Sequence, residues 1–171
     1  TRLSRGLGDV YKRQIMDMNL TNNVIIGRQN IDKYKSSLGT MKMKNAVNES
    51  EKVISAFDVK TPGTSTLATA LSGGNQQKFV VGRELEDNPS LLIASQPTRG
   101  IDIGAQALIW EKLRNSRDEG LSVLLISADL EELIGLSDRI IVFYQGKLVK
   151  ELDAEKVTPE DLGGYMTGLK K

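Results

Sequence analysis

The stretch that most constrains the fold is residues 71–78, Leu-Ser-Gly-Gly-Asn-Gln-Gln-Lys, which runs straight into an apolar segment. A serine can cap the start of a helix, and glycines without a Cβ let backbone N–H groups close on an anion there. The candidate anion contacts on this turn are Ser72, Gly73, Gly74, Gln76 and Gln77. The stretch predicts a phosphate-binding helix start, and the alternative is a flexible turn before an ordinary helix.

A second run follows at residues 91–102, Leu-Leu-Ile-Ala-Ser-Gln-Pro-Thr-Arg-Gly-Ile-Asp. The first stretch resembles the signature motif of ABC transporter ATPases, and the second resembles their Walker B strand and D-loop. With Asn75 in the signature, the sequence of the two motifs most resembles that of the second of two fused ATPase domains in bacterial importers of sugars and nucleosides. Within that class it resembles the purine-nucleoside branch, which works with a lipoprotein substrate receptor. The resemblance covers residues 15–171.

The resemblance implies an α/β fold, namely a partial P-loop NTPase (RecA-like) lobe with a helical subdomain, a C-terminal β-hairpin and a C-terminal helix. We expect residues 15–85 to form the helical subdomain with the signature, and residues 86–171 to form the C-terminal part of the core lobe. No G-x-x-x-x-G-K-[ST] motif occurs in the sequence. We therefore expect a piece that begins after the Walker A half of its own domain and that is inactive alone.

Composition excludes several classes of site. The 171 residues are 39% hydrophobic and 26% charged, which is ordinary for a globular protein. No apolar run approaches the 18 residues that a membrane-spanning helix needs. Cysteine and histidine are both absent, so thiolate and imidazole chemistry is excluded.

Residues 1–14 differ in character from the rest of the chain. They are rich in Arg, Lys and Gly, show no helical or strand period, and resemble a translated sequencing adapter. We expect a non-native leader, with a basic arm for nucleic acid or membrane as the alternative. Four Lys or Arg and one Asp lie here, so its removal takes the formal charge from +1 to −2. The remainder has no basic excess, and we expect no nucleic-acid partner.

Residues 15–85 carry helix signals. Asn19 is a candidate N-cap, and Met43, Val47, Ile54 and Phe57 recur at a spacing that predicts one buried helix face. Residues 61–70 read as a loop, with a linker and a role in positioning the signature serine as equal alternatives.

Residues 86–171 predict alternating strands and helices. Two short apolar runs suit strands buried on both faces of a parallel sheet, and a helix lies between them. A second helix starts at an Asp-x-x-Glu sequence, a Gln-Gly pair predicts a β-hairpin, and a Thr-Pro pair opens the last helix. The strands are predicted at 91–94, 123–126, 139–144 and 147–152, and the helices at 105–113, from 129 and from 158.

The resemblance also points to a degenerate catalytic site. Ser95 and Gln96 stand where ABC ATPases place the Mg²⁺-binding Asp and the catalytic Glu, and Ala128 stands at the switch histidine. A glutamine amide cannot accept a proton, and loss of a general base costs ~10²–10⁴ in rate. We expect no intact catalytic residue and no metal ligand in the chain itself.

What the resemblance leaves intact acts on a partner's nucleotide. Ser72, Gly73, Gly74 and Gln76 are expected to complete, in trans, a site whose ATP and Mg²⁺ are held mainly by the partner. Gly100, Ile101 and Asp102 are expected along the pair interface.

The expected partner is the N-terminal ATPase domain of the same full-length protein or a second copy. The others are transmembrane permease subunits and, indirectly, a lipoprotein receptor. The implied location is peripheral, on the cytoplasmic face of the bacterial inner membrane. Two alternatives are a non-transport ABC protein such as a translation factor, and a regulatory or scaffold domain without nucleotide chemistry.

Overall fold

A computed structural model describes residues 14–170 and the backbone of residues 5–7. The chain falls into two compact units, Thr1–Val123 and Leu124–Lys171. Each unit is described by itself below. The domain boundaries predicted after residues 14 and 85 stay predictions.

The described elements alternate between short strands and helices. In chain order they are β1 (Arg5–Leu7), α1 (Leu20–Ile25), α2 (Met43–Ala56), a 3-10 turn (Ala68–Ala70), α3 (Gly73–Leu85), β2 (Leu91–Ser95), α4 (Ile103–Asp118), β3 (Ser122–Ile126), α5 (Leu130–Leu136), β4 (Arg139–Tyr144), β5 (Lys147–Asp153) and α6 (Pro159–Met166). None of the helices in the described part of the chain combines the length and the apolar character needed to cross a membrane.

The sheet that contains β2 has the strand order β1-β2-β3. β1 runs parallel to β2, with Gly6 opposite Ile93, and β3 begins beside β2 where the Ser122 N–H donates to the Ser90 carbonyl at 3.3 Å. Residues 1–14 show no strand period, so the sequence did not predict β1. Backbone pairing along a free strand edge does not require alternating side chains. The non-native origin of residues 1–14 stays a prediction.

The predicted strands β2 and β3 are present, but their burial differs from the prediction. In β2, Leu92 and Ala94 are fully buried and alternate with half-buried neighbours. In β3, Leu124 and Ile126 are 51% and 49% exposed, so burial on both faces is wrong for this strand. The apolar run predicted a strand correctly, but its second face has no cover among the described residues.

Helix α1 begins at the predicted cap, where Asn19 Oδ1 accepts the Asn22 N–H at 2.8 Å. Helix α2 also forms, but its buried face is shifted from the predicted stripe. Met43 is 43% exposed, Val47 and Ile54 are half-buried, and only Phe57 of the four is buried.

The face of α2 that is buried consists of Ala46, Ser50, Val53 and Phe57 together with Glu49. Two of these are small, and the Ser50 hydroxyl donates to the Leu20 carbonyl of α1 at 3.3 Å. Close packing on α1 therefore selects small residues, which a search for large apolar side chains overlooks.

A buried ionic cluster joins the segment that follows α1 to the C-terminal end of α3 and the residues just after it. Arg28 is 1% exposed, and its Nε lies 2.9 Å from Asp87 Oδ2. Arg83 is 3% exposed and contacts Glu84 at 2.7 Å. Arg28 also donates through Nη2 to the Arg83 carbonyl at 2.5 Å. Among the described residues, two cations and two anions lie together here, and a buried charge costs less when it has a partner of opposite sign.

The second unit is built around the predicted hairpin and terminal helix, and both predictions are confirmed. β4 and β5 pair antiparallel around Gln145 and Gly146, whose φ angles of 48° and 76° are those of a type I′ turn. The predicted caps of α5 and α6, Asp129 and Thr158, each accept a backbone N–H of the first turn. The buried core consists of Leu133, Ile140, Val142, Ala154 and Leu162.

Candidate functional site

The start of α3 presents Ser72 and Gly73 to solvent. Ser72 is the N-cap, with φ −63° and ψ 156°, and its Oγ accepts the Asn75 N–H at 3.4 Å. A Cβ built on Gly73 would have no heavy atom within 4 Å outside its immediate chain neighbours. The N-terminal end of a 13-residue helix is therefore open at these two positions, and its backbone N–H groups carry the positive end of the helix dipole.

Gly74 has a different role, because it faces the start of α4. A Cβ at this position would lie 2.7 Å from Asp102 Oδ2 and 3.0 Å from the Cβ of Ala105. Asp102 is the N-cap of α4 and accepts the Ala105 N–H at 2.9 Å. The missing side chain thus allows the signature turn and the predicted D-loop to pack directly against each other.

Gln76 points into the fold. It is 6% exposed, and its Nε2 donates to the Ala68 and Leu71 carbonyls, both at 3.0 Å. Both amide hydrogens are therefore used on the loop that leads into α3. Gln76 as a side-chain donor to a nucleotide does not fit this geometry, because the spacing of a motif does not set the direction of a side chain. The residue instead positions the loop before Ser72.

Gln77 makes the second link between α3 and the predicted D-loop. It is 2% exposed, and its Nε2 donates to the Pro97 carbonyl at 2.6 Å. The motif predicts a neutral donor to an anion at this position, whereas the buried side chain donates to the predicted D-loop instead. Because Gly74 and Gln77 are three residues apart on a helix, they share one face, and this spacing was the available signal for a common contact.

The predicted D-loop is a tight turn between β2 and α4. Gln96 and Gly100 have φ angles of 50° and 74°, which are left-handed values, and the first is unusual for a non-glycine residue. The Gln96 carbonyl accepts the Arg99 N–H at 3.3 Å. Ile101 is half-buried and Asp102 is exposed at the start of α4. Backbone strain of this kind is commonest at functional sites.

The residues predicted as degenerate catalytic positions are divided between the two units. Ser95 ends β2 and Gln96 follows it, both half-buried, in the first unit. Ala128 is exposed in the second unit, in the turn between β3 and α5. No cluster of three or more acidic side chains able to hold a metal ion occurs among the described residues.

A polar clamp holds the end of α2 against the first turn of α3. The Lys60 N–H donates to Asn75 Oδ1 at 2.9 Å, and Lys78 Nζ donates to the Asp58 carbonyl at 3.3 Å. Lys60 Nζ lies 2.6 Å from the Asp58 carboxylate, and this hydrogen bond lowers the pKa of Asp58 below its ordinary value. Asp58 itself has a left-handed φ of 47° at the turn after α2.

Sequence comparison finds relatives that are named as import ATP-binding proteins. The chain is 41% identical over 154 residues to the guanosine import ATP-binding protein NupO of Bacillus subtilis strain 168. It is 38% identical over 157 residues to the nucleoside import ATP-binding protein NupA of Lactococcus lactis subsp. cremoris. The ribose import ATP-binding protein RbsA of Clostridium tetani is 36% identical over 151 residues.

The matches cover 90%, 90% and 88% of this chain. The chain is homologous to ABC import ATP-binding proteins. It spans only about 30% of the length of each of these three relatives. No protein-family model matches the chain.

Structure comparison identifies the fold of the chain. A dimeric post-hydrolysis structure of the ATP-binding cassette MJ0796, bound to ADP and Pi, aligns with a TM-score of 0.70 at 19% identity. The alignment covers 88% of this chain and 62% of that chain. A second dimeric structure of this bacterial ABC transporter cassette aligns with a TM-score of 0.69 at 20% identity. The predicted fold, an α/β ABC ATPase cassette represented in part, is confirmed.

Proposed function

We propose that this chain is the nucleotide-handling part of an ABC importer for nucleosides or simple sugars. The observation that carries the proposal is the open start of α3, where Ser72 and Gly73 are exposed while Gly74 packs on Asp102. An exposed helix N-terminus with an unhindered glycine suits a phosphate group. The names of the homologues, which import guanosine, nucleosides and ribose, support the substrate class.

The start of α3 acts on a nucleotide that another ATPase domain holds, and this action is called the trans clamp below. Ser72, Gly73 and Gly74 close on ATP held by a partner ATPase domain, and Gln76 holds the loop that leads into this turn. Gly100, Ile101 and Asp102 line the same pair interface, and the Gly74–Asp102 packing makes the two motifs one surface. The partner supplies most of the contacts to ATP and Mg²⁺.

The chain's own hydrolytic site is degenerate in this proposal. Ser95 and Gln96 replace two carboxylates and Ala128 replaces an imidazole, so no group at these positions can accept a proton from water. The pair formed by this domain and its partner ATPase domain then hydrolyses ATP at one of its two sites. Energy from closure passes to permease subunits on the cytoplasmic face of the inner membrane, with a lipoprotein receptor supplying the substrate.

A chimera tests the trans clamp. The 154 matched residues of the Bacillus subtilis guanosine import ATP-binding protein are replaced by those of this chain, and ATP turnover of the purified chimera is measured. Ser72→Arg places a long side chain at the open helix start, and we expect turnover to fall by about 100-fold or more. Ser37→Arg, at another exposed serine of the first unit, is the matched control and should leave turnover unchanged.

Equal turnover in the Ser72→Arg and Ser37→Arg chimeras would refute the trans clamp. The degenerate site has its own test on the 171-residue chain alone. If that chain hydrolysed ATP as fast as the complete Bacillus subtilis protein, the proposal that its own site is inactive would be wrong.

A further inference from the structure

We propose that Asn75 is a positioning residue that turns the hydroxyl proton of Ser72 outward, so that Ser72 is set as a hydrogen-bond donor to phosphate. The inference rests on the proposed trans clamp and specifies how the clamp is prepared before nucleotide arrives. It follows from three hydrogen bonds of Asn75, beginning with the one in which the donor and the acceptor are fixed by their chemistry.

The first bond sets the orientation of the Asn75 amide. The Lys60 backbone N–H can only donate, and it lies 2.9 Å from Asn75 Oδ1. An acceptor is therefore required at this end of the side chain, and a rotated amide would place two N–H donors against each other. The Asn75 NH₂ group is consequently directed to the other side.

The second bond carries this polarity to the serine. Asn75 Nδ2 lies 3.0 Å from Ser72 Oγ and can only donate to it. The Asn75 backbone N–H approaches the same oxygen at 3.4 Å, as in an N-cap. Both lone pairs of the hydroxyl oxygen are thus engaged, and the O–H must point elsewhere.

The hydroxyl proton then faces solvent. Ser72 is exposed, and no hydrogen bond from its hydroxyl to an acceptor occurs among the residues that the structure describes. A phosphate oxygen offers only lone pairs, so an outward O–H meets it without reorientation. Donors that are fixed in advance give more binding free energy than donors that must first turn away from another partner.

The position of the Lys60 N–H is fixed by a further contact. Its N–H follows the turn after α2, and that turn is bound to α3 by the Lys78 Nζ bond to the Asp58 carbonyl. The donor that orients Asn75 is therefore held in place by the end of α2. Loss of the α2–α3 contact would release the amide and, through it, the Ser72 hydroxyl.

The experiment is a double-mutant cycle in the chimera described above, with ATP as the probe. Asn75→Asp keeps an acceptor for the Lys60 N–H but places a carboxylate oxygen at Ser72, which draws the hydroxyl proton inward. The substitution is made with Ser72 present and in a Ser72→Ala background. Asn48→Asp is the matched control, because it makes the same chemical change at an exposed asparagine of α2 that lies outside the three hydrogen bonds of Asn75.

With Ser72 present, Asn75→Asp should raise the ATP concentration for half-maximal turnover by about 10-fold or more. In the Ser72→Ala background the same change should have at most about a fifth of that effect, since no hydroxyl remains to be turned. Asn48→Asp should match the unmodified chimera. A melting temperature measured for each variant separates these effects from loss of folding.

The outcomes distinguish the two proposals. If Ser72→Arg abolishes turnover while Asn75→Asp has equal effects in both backgrounds, the added charge alone explains the loss and the positioning role is refuted. If Asn75→Asp has no effect with Ser72 present, the role is refuted as well. If Ser72→Arg leaves turnover unchanged, the trans clamp fails and the positioning role fails with it.

Discussion

Gly82, in the C-terminal half of α3, is the position where one added methyl group has the clearest expected effect. A Cβ built there would lie 2.6 Å from Phe57 Cδ2 and 2.8 Å from Val53 Cγ1. Both side chains belong to the buried face of the α2 segment, with 5% and 0% exposure. The Phe57 ring is also held from α4, since Lys112 Nζ lies 5.4 Å from its centroid.

The magnitude follows from two opposing effects of Gly82→Ala. In an unhindered helix interior the change stabilises by about 1 kcal/mol, because alanine has the higher helix propensity. Overpacking of a buried contact costs about 1–3 kcal/mol, and three contacts below 3.0 Å place this site at the upper end. We expect a net loss of about 1–2 kcal/mol in the free energy of unfolding.

Gly73→Ala in the same helix is the control, since its Cβ would meet no atom within 4 Å. It should leave the free energy of unfolding within about 0.5 kcal/mol of the parent. Urea unfolding of the chain, followed by circular dichroism, measures both variants. A Gly82→Ala chain as stable as the Gly73→Ala chain would show that α2 and α3 do not pack as closely as described.

Three further predictions concern other parts of the chain. Burial, and then the nearby Glu49 carboxylate, raise the pKa of Tyr34 to about 12 against an ordinary value of 10. The contribution of neutral Tyr34 to the free energy of unfolding, at most about 3 kcal/mol, is therefore complete below pH 10 and is lost as pH rises towards 12. Tyr34→Phe should remove this alkaline loss of stability in urea titrations. Asp102→Ala removes the α4 cap and should cost about 1 kcal/mol in urea unfolding, whereas Asp102→Asn should cost a few tenths. In the chimera, the combined change Ser95→Asp, Gln96→Glu and Ala128→His should raise ATP turnover up to about twofold by restoring the second site, and unchanged turnover would contradict the proposed degeneracy.

Helix starts were the part of the fold most accessible from the sequence. A cap is a local interaction, in which one side-chain oxygen accepts an N–H two or three residues later, so residue type and spacing nearly suffice. The caps predicted at Asn19, Ser72, Asp129 and Thr158 are all present. The hairpin was accessible for the same reason, since Gln145 and Gly146 adopt the left-handed angles that its turn requires.

Side-chain direction within those elements was not accessible. The residue types of the signature turn predicted a donor at Gln76, but the structure uses that amide to hold the preceding loop. The buried face of α2 differs from the large apolar stripe because small residues pack on α1. The exposure of Leu124 depends on what covers β3. The direction of Gln76 is set by the fold of a nearby loop, and the other two outcomes depend on whether a residue distant in sequence covers the position, neither of which periodicity encodes.

Helix α3 separates its two tasks along its length. Ser72 and Gly73 must stay exposed at its start if they are to meet a nucleotide, so these two residues forgo the free energy that burial would supply. The opposite half compensates, because Arg83 donates to the Asn23 carbonyl at 2.9 Å and is tied through Arg28 to Asp87. Removal of one partner from such a buried charged group costs about 3–5 kcal/mol. A helix anchored this firmly at one end can leave Ser72 and Gly73 exposed at its other end without losing its place in the fold.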